Sequence, residues 1–372
     1  PGRDLSGYDA LTFWAKATQG VTIGEFGFGQ DFGENKYLVT KTNTTLSTNW
    51  VKYTIPIPDA SKLIEERGLF WYSAGTQNTG GLGYTFWIDD LQFEKLGTLG
   101  QPQPAMLNGE DVFEQSFLGF NINLAERGLT QTYNLDSGTN QIVTAAPSYF
   151  SFTSSDPEVA RVNELGEVSI VDIGNVKITA AIGGVEVKGS LNLEISGEFN
   201  AADTPPERNP EDVISIFSDA YTNVEALNFA AFNNNDIQIQ EENFAGNQVV
   251  YYSNLEFVGL GWNGTVDVSN MTHLHLDVQI DGSTSPTLIV QLIDFGPNNS
   301  DGGGDDTGGG STVTSQLADG TTWASIDIPI NGFTEATGGG FAGSPNLNHI
   351  ARVALVSNKS AFVIDNIYFY KE

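Results

Sequence analysis

Two stretches of the chain alternate apolar and polar residues and break that alternation in the same way. Residues 84–95 read Y-T-F-W-I-D-D-L-Q-F-E-K, and residues 361–372 read A-F-V-I-D-N-I-Y-F-Y-K-E. The period of two predicts a strand in each. Each also sets an Ile-Asp-Asx inside an apolar run, where a carboxylate is costly unless something pairs with it. Two further landmarks precede each stretch in the same order. Asp4-Leu5-Ser6-Gly7 leads into L-T-F-W-A-K-A, and Trp50 opens W-V-K-Y-T-I-P-I. Asp267-Val268-Ser269-Asn270 leads into H-L-H-L-D-V-Q, and Trp323 opens W-A-S-I-D-I-P-I. Three collinear matches predict two copies of one β-domain.

In each copy the strand after the D-x-S turn sends alternate residues inward. Leu11, Phe13 and Ala15 align with Leu274, Leu276 and Val278 as the buried set. The opposite face carries Thr12, Trp14 and Lys16 in one copy and His273, His275 and Asp277 in the other. Two imidazoles two residues apart could ligate a metal, but a solvated or ligand-facing surface is the preferred reading. Trp50, Trp323 and Trp87 are assigned to the core. Roughly 55 residues of strand-like sequence, including V-I-S-I-F and Q-V-V-Y-Y, precede Asp267, while almost nothing precedes Asp4. The first copy is therefore expected to be a truncated version of the second, which would leave sheet edges and core exposed.

Between the copies lies a stretch that matches neither. Short alternating runs (V-T-A-A-P, S-Y-F-S-F-T, V-A-R-V, G-E-V-S-I-V, V-K-I-T-A-A-I, S-L-N-L-E-I) recur at regular intervals with turn signals between them, as in a small sandwich. The segment E-F-N-A-A-D-T-P-P-E-R-N-P-E-D that follows is polar and proline-bearing, the composition of a stiff extended spacer. Helical signal is confined to 60–67, which predicts a turn or two, and the β-branched residues of 212–221 favour strand. The glycine-rich 301–311 is expected to be a flexible insertion. The resulting fold class is all-β: two copies of one β-domain, 1–97 and 212–372, separated by a sandwich at 98–197 and a linker at 198–211.

Composition narrows the partners. Forty-six acidic against sixteen basic residues give a formal net charge of −30, a field that repels nucleic acid and anionic membranes. No cysteine is present, so thiolate metal sites, disulfides and cysteine nucleophiles are excluded together. No run approaches the roughly 18 apolar residues of a membrane span. The chain shows no G-x-S-x-G elbow, P-loop, H-E-x-x-H or E-x-D-x-x-E strand, and three histidines leave little material for triads. Catalysis is not expected.

Against this background S-S-D-P-E-V-A-R-V, G-E-V-S-I-V and G-N-V-K-I-T-A-A-I-G-G-V resemble a bacterial Ig-like domain of the group-2 type. G-F-G-Q-D-F-G-E-N-K-Y, R-G-L-F-W-Y-S, V-I-S-I-F-S-D-A-Y, the D-x-S openings and the I-D-Asx strands resemble galactose-binding-like jelly-roll carbohydrate-binding modules. Such modules occur in surface glycan-binding proteins of Bacteroidetes. The resemblance implies a non-catalytic protein on the extracellular face of the outer membrane, or secreted, which captures a polysaccharide and delivers it to a glycan importer complex. A lipid-anchored form belongs to the same picture. A neutral β-glucan such as laminarin is the expected ligand, because −30 disfavours sulfated and uronic polymers. The alternatives are the accessory region of a secreted polysaccharidase whose catalytic domain lies upstream, and an adhesin or stalk with degenerate modules.

Sugars are held by aromatic platforms and placed polar groups. The expected contacts are Trp71, Tyr72, Phe32, Glu34, Asn35 and Tyr37 in the first copy, and Trp262 with Asn263 in a glycine-rich turn of the second. The resemblance also implies a structural Ca²⁺ held by oxygens of the first and last strands. Asp365 would be its C-terminal ligand, Asp219 its N-terminal one, and Asp89 the equivalent of Asp365 in the first copy.

Overall fold

The computed structural model describes residues 2–31, 33–198, 201–244, 246–280, 286–302, 304–318, 322–336 and 343–372. The fold is all-β: among the described residues the only helices are 3-10 turns of three residues. By internal contacts the chain forms two compact units, Pro1–Phe113 with Asn121–Leu193, and Glu114–Phe120 with Glu194–Glu372.

In the first unit β1 (Ala10–Ala17), β2 (Val21–Phe28), β3 (Val39–Leu46), β4 (Val51–Pro56), β5 (Trp71–Ser73) and β6 (Phe86–Glu94) come first. The period-two pattern of β1 holds, with Leu11, Phe13 and Ala15 at 1%, 0% and 0% exposure. Burying a Leu or Phe side chain contributes about 1.5–3 kcal/mol. Phe13 packs against Phe26 and Phe70 at centroid distances of 4.9 and 5.8 Å, which ties one layer to the other. The expected turn at 60–67 is a single 3-10 turn, Ala60–Lys62, capped by Asp59, whose carboxylate accepts from Ser61 N at 3.0 Å.

The middle of the chain continues with β7 (Gly100–Ala105), β8 (Asp111–Leu118), β9 (Asn121–Asn123), β10 (Thr130–Asn134), β11 (Asn140–Ala145) and β12 (Ser151–Ser154). Then follow β13 (Ala160–Val162), β14 (Glu167–Ile170), β15 (Gly174–Ile182), β16 (Val185–Glu186) and β17 (Ser190–Glu198). Strands β12-β15-β17-β8 and β13-β14-β9 form two small sheets. A third sheet runs β5-β2-β3-β11-β10-β7. It is joined through Thr40↔Thr144 and Val39↔Ala145, so strands from 1–97 and 98–197 share one sheet.

The second unit carries β18 (Val213–Phe217), β19 (Asn228–Asn233), β20 (Gln238–Phe244), β21 (Asn247–Val266), β22 (His273–Ile280), β23 (Ile289–Asp294), β24 (Thr307–Thr312), β25 (Trp323–Pro329) and β26 (Ile350–Tyr370). The strand expected over 212–221 is β18. Two long strands organise the rest. The first half of β26 pairs β23 and the second half of β21, while its second half pairs β22, β18 and the first half of β21. Asn254 and Lys359, at φ 55° and 64°, sit where the register of the two long strands shifts. The halves face one another across one core, which draws Val290, Leu292, Val353 and Leu355 from one layer and Leu274, Leu276, Val278 and Ile364 from the other.

The sequence repeat is a repeat of geometry. Strand β1 lies between β4 and β6 as β22 lies between β25 and β26. Trp14↔Asp89 matches Asp277↔Asp365 in register, and both pairings shift just before that position. The residue after each aspartate is left-handed, Asp90 at φ 49° and Asn366 at φ 50°, a conformation that Asn and Asp tolerate. Both D-x-S openings close the same turn, Ser6 N donating to Asp4 Oδ1 and Ser269 N to Asp267 Oδ1, each at 2.9 Å.

Three expectations are corrected. Trp50 and Trp87 are not core residues: they are 41% and 44% exposed, because both lie on the outward side of the β4-β1-β6 layer. The glycine run is not a flexible insertion: Gly308–Gly310 are buried within β24 and paired to β23. A side chain at Gly309 would collide with the main chain of Gly343 and Phe333, so glycine is what allows this close approach. The proline-bearing segment is not a free spacer either. Arg208 lies over the Tyr370 ring at 3.8 Å, Tyr221 OH donates to Pro206 O at 2.6 Å and Asn366 Nδ2 donates to Asp203 O at 3.2 Å. Residues 203–212 are therefore strapped onto the second unit.

Candidate carbohydrate-binding cleft and carboxylate cluster

Strands β19, β21, β26 and β23 lie side by side in one layer of the second unit, and their outward positions fall in register. Phe257 faces Val356, Gly259 faces Ala354 and Gly261 faces Arg352. On the far side of β26 Ala354 faces Gln291 and Arg352 faces Ile293. The two glycines and Ala354 leave the middle of this face without side chains, and larger groups rise around it. The result is a cleft of about 590 Å³ lined by Phe232, Glu256, Phe257, Gln291, Ile293, Phe295, Asp301, Arg352, Ala354 and Val356.

Each wall of the cleft has a physical cause. A Cβ at Gly259 would collide with the Phe232 ring, so the glycine lets that ring lie down on the sheet. A Cβ at Gly261 would sit 2.8 Å from Arg352 Nε, so this glycine makes room for the guanidinium. Phe232 and Phe257 are 39% and 38% exposed, with ring centroids 6.4 Å apart and planes inclined by 32°. The Arg352 guanidinium lies 4.8 Å over the Phe295 ring, and its Nη1 donates to Ala351 O at 2.7 Å. Burial lowers the Arg352 pKa and the Asp301 charge opposes this; the group stays cationic, as guanidinium does in proteins. Apolar ring faces beside one cation, two carboxylates and an amide can take the C–H face of a sugar and hydrogen-bond its hydroxyls.

The residues expected to contact sugar are distributed otherwise. Trp262 is corrected to a core position: it is 6% exposed inside β21, packed with the main cluster, because alternation along that strand turns it inward. Asn263 beside it is exposed, and its N–H donates to Glu225 O at 3.1 Å. Trp71 is half-buried across Gly27, where a Cβ would sit 2.6 Å from the indole nitrogen, and that nitrogen is buried without a partner. Tyr72 is 52% exposed with its ring edge-on to Phe86 at 5.3 Å. Asn35, at φ 51°, closes a turn with Asp31, whose Oδ1 accepts from Asn35 N and Gly33 N. Glu34 is exposed, and Tyr37 is half-buried with its ring 5.5 Å from that of Tyr149. Phe32 lies outside the described residues. The cleft residues Phe232, Phe257 and Arg352 were not singled out from sequence. The available signal was the G-L-G of β21, alternate glycines on one face of a strand.

Below the other layer, carboxylates converge. Asp365 is fully buried; its Oδ1 accepts from Asn366 N at 2.6 Å, and its Oδ2 meets no donor at hydrogen-bond geometry. Asp277, opposite it in register, accepts from Ser325 Oγ at 2.5 Å and Asn366 Nδ2 at 2.8 Å. Asp219 Oδ2 accepts from Gln248 N at 2.5 Å. Burial pushes the Asp365 carboxyl up to about 7, against the Asn247 amide and the Asn366 N–H, which pull it down, and with the Asp277 and Asp219 charges, which push it up. A cavity of about 280 Å³ beside the cluster is lined by Asp203, Thr204, Asp219, Asn247 and Asn366, among others. An orphaned buried carboxylate oxygen among oxygen donors suits a hard cation. Among the described residues no three His, Cys, Asp or Glu are spaced to hold one, so a cation here takes at most two carboxylates and completes its shell with amide and main-chain oxygens. Asp89 is exposed and accepts only from Asp90 N, at 2.9 Å. Among the described residues no comparable cluster forms around it.

The two histidines of β22 are occupied. His275 Nδ1 is 2.8 Å from Asp327 Oδ1, its Nε2 is 3.4 Å from Asp277 Oδ1, and its ring stacks on Tyr368 at 4.7 Å. His273 stacks on Tyr370 at 5.1 Å. Burial alone would lower the His275 pKa, but hydrogen bonds to Asp277 and Asp327, with their charges, raise it above 6.5. Among the described residues no helix is long and apolar enough to cross a membrane.

No protein-family model matches the sequence, and no curated protein sequence matches it either. Solved structures do. The family 11 carbohydrate-binding module of a cellulosomal cellulase of Clostridium thermocellum is 14% identical, with 46% of this chain and 97% of that chain covered and a TM-score of 0.31. A family 11 module from Clostridium thermocellum, in complex with a β-1,3-1,4-mixed-linked tetrasaccharide, is 18% identical over 43% of this chain and 96% of that chain, with a TM-score of 0.32. A family 30 module from a second cellulosomal cellulase of that organism is 13% identical over 43% and 98%, with a TM-score of 0.31. Likeness at this level carries no functional argument.

Proposed function

We propose that the chain is a non-catalytic carbohydrate-binding protein whose second unit holds a neutral polysaccharide in the cleft of Phe232, Phe257, Phe295 and Arg352. The carrying observation is the glycine floor: Gly259 and Gly261 leave room for the Phe232 ring and the Arg352 guanidinium to lie along the sheet, an arrangement with no use in the core. Glu256 and Asp301 in the cleft wall, within a chain of net charge −30, disfavour an anionic polymer. A β-glucan such as laminarin is the proposed ligand. The proposal retains the modular reading: jelly-roll modules at 1–97 and 212–372, an Ig-like module at 98–197, and a role at the cell surface or in secretion that delivers glycan to an importer. Trp71, beside the glycine at Gly27, is a proposed subsite in the first module. The Asp365 cluster is proposed to hold a structural Ca²⁺ with Asp219, whose bound charge would offset the burial of the carboxylate. Affinity electrophoresis in gels carrying laminarin, cellulose derivatives or polyuronate tests the reading. Laminarin should retard the wild type more strongly than the Phe257→Ala variant; equal migration of both in every gel would reject it.

A further inference from the structure

The outward face of the β4-β1-β6 layer in the first unit has no role in the cleft. It presents three indoles together: Trp14, Trp50 and Trp87 are 38%, 41% and 44% exposed. Lys16 stands among them, its ammonium 5.0 Å from the Trp50 ring and 5.2 Å from the Trp87 ring. Farther along the same face the side chains turn polar and tie themselves down. Lys52 Nζ and Thr12 Oγ1 both donate to Glu94 Oε2 at 2.8 Å. Register sets Trp14 directly between Lys52 and Asp89.

Such a face is unusual for a soluble sheet. Single exposed aromatics need no explanation, whereas contiguous ones mark a contact surface. The fold itself does not require it. At the matching register of the second unit, Asp277 and Val363 are 2% and 0% exposed, and Gln279 is 0% exposed. The repeat thus keeps its inward pattern and diverges on this face at Trp14 and Trp87, where buried groups are exchanged for displayed indoles, while Trp50 has the half-buried Trp323 as its counterpart.

The chemistry of the patch selects the partner. Along β1 and its two neighbours the face offers indole rings, two ammonium groups, carboxylates and hydroxyl or amide ends. Aromatic planes bordered by hydrogen-bonding groups fit a ligand with apolar C–H faces and hydroxyl edges. We infer that this face is a second carbohydrate platform, separate from the cleft, that takes the flat side of a neutral glycan chain. Two sites on one chain would raise the apparent affinity for a long polymer without any new contact at either.

The inference shares the glycan class of the proposed function but rests on different residues, so the two can fail separately. The six tryptophans give six indole N–H signals, assigned by single Trp→Phe variants. Laminarihexaose and cellohexaose are titrated into the whole chain and into Phe257→Ala. The signals of Trp14, Trp50 and Trp87 should move in both proteins, while that of buried Trp262 stays. Trp14→Ala and Trp87→Ala should each weaken this event roughly tenfold and leave the cleft response unchanged. Still signals with a responding cleft would overturn the platform and spare the cleft. Signals that move on dilution without sugar, with a dimer mass by light scattering, would show a protein contact surface and overturn it as well. A protein unresponsive to either sugar at both places would sink both readings.

Discussion

Replacing Asp365 by asparagine should act in opposite directions depending on the cation present. The carboxyl is fully buried and its pKa is pushed from 3.8 up to about 7. A raised value means that the folded protein holds the proton more tightly than the unfolded chain does. The associated stability is complete below pH 3.8 and is lost as pH rises through about 7. From 3.8 to about 7, at roughly 1.4 kcal/mol per pH unit, ionising Asp365 in the folded state costs about 4 kcal/mol. Asparagine copies the neutral acid and cannot ionise. In chelator, Asp365→Asn should therefore gain on the wild type between pH 5 and pH 8 and melt higher at pH 8, by up to roughly 10 °C for a unit of this size. In millimolar calcium the order should invert, because the wild-type carboxylate is neutralised by the ion and the variant has lost a ligand. The assay is thermal unfolding followed by circular dichroism across that pH range, with EDTA and with calcium chloride. A variant that melts below the wild type at pH 8 in EDTA would refute the reasoning about the buried charge. A wild type indifferent to calcium would refute the cation.

Three further outcomes follow from the same geometry. In a proton NMR titration His275 should change charge at a midpoint above 6.5, and Asp327→Asn should move that midpoint down, since one of the carboxylates raising it is gone. Gly259→Ala should leave the melting temperature within a few degrees, because the half-exposed Phe232 ring can swing aside, yet it should reduce glycan affinity by about tenfold. Arg208→Ala should remove the guanidinium from the Tyr370 ring, at a cost of about 1 kcal/mol; limited proteolysis should then cut within 203–212 sooner than in the wild type.

What the sequence revealed was whatever depends on period and register. The inward set of β1 and β22, the strand β18 and the repeat itself follow from alternation, and a carboxylate in an apolar run marked Asp365 before any coordinates did. What it concealed depends on which side of a strand faces a neighbouring layer. Trp262 sits among glycines and looks like a loop residue, but β21 runs straight through that stretch and turns the indole inward. Trp50, just before β4, and Trp87, within β6, border apolar residues and look like core, yet they are exposed. The glycines of β24 imply flexibility in one dimension and close backbone packing in three. Cleft formation by Phe232, Phe257 and Arg352 joins three strands distant in sequence, and only pairing in register brings them to one face.

The central claim is that the glycine-floored cleft binds a neutral glycan. Isothermal titration calorimetry of laminarihexaose into the wild type and into a Phe257→Ala, Arg352→Ala double variant tests it most directly. The account predicts a measurable binding heat in the wild type that falls by at least the cleft's share in a double variant of unchanged melting temperature. An identical isotherm for the two proteins would contradict it.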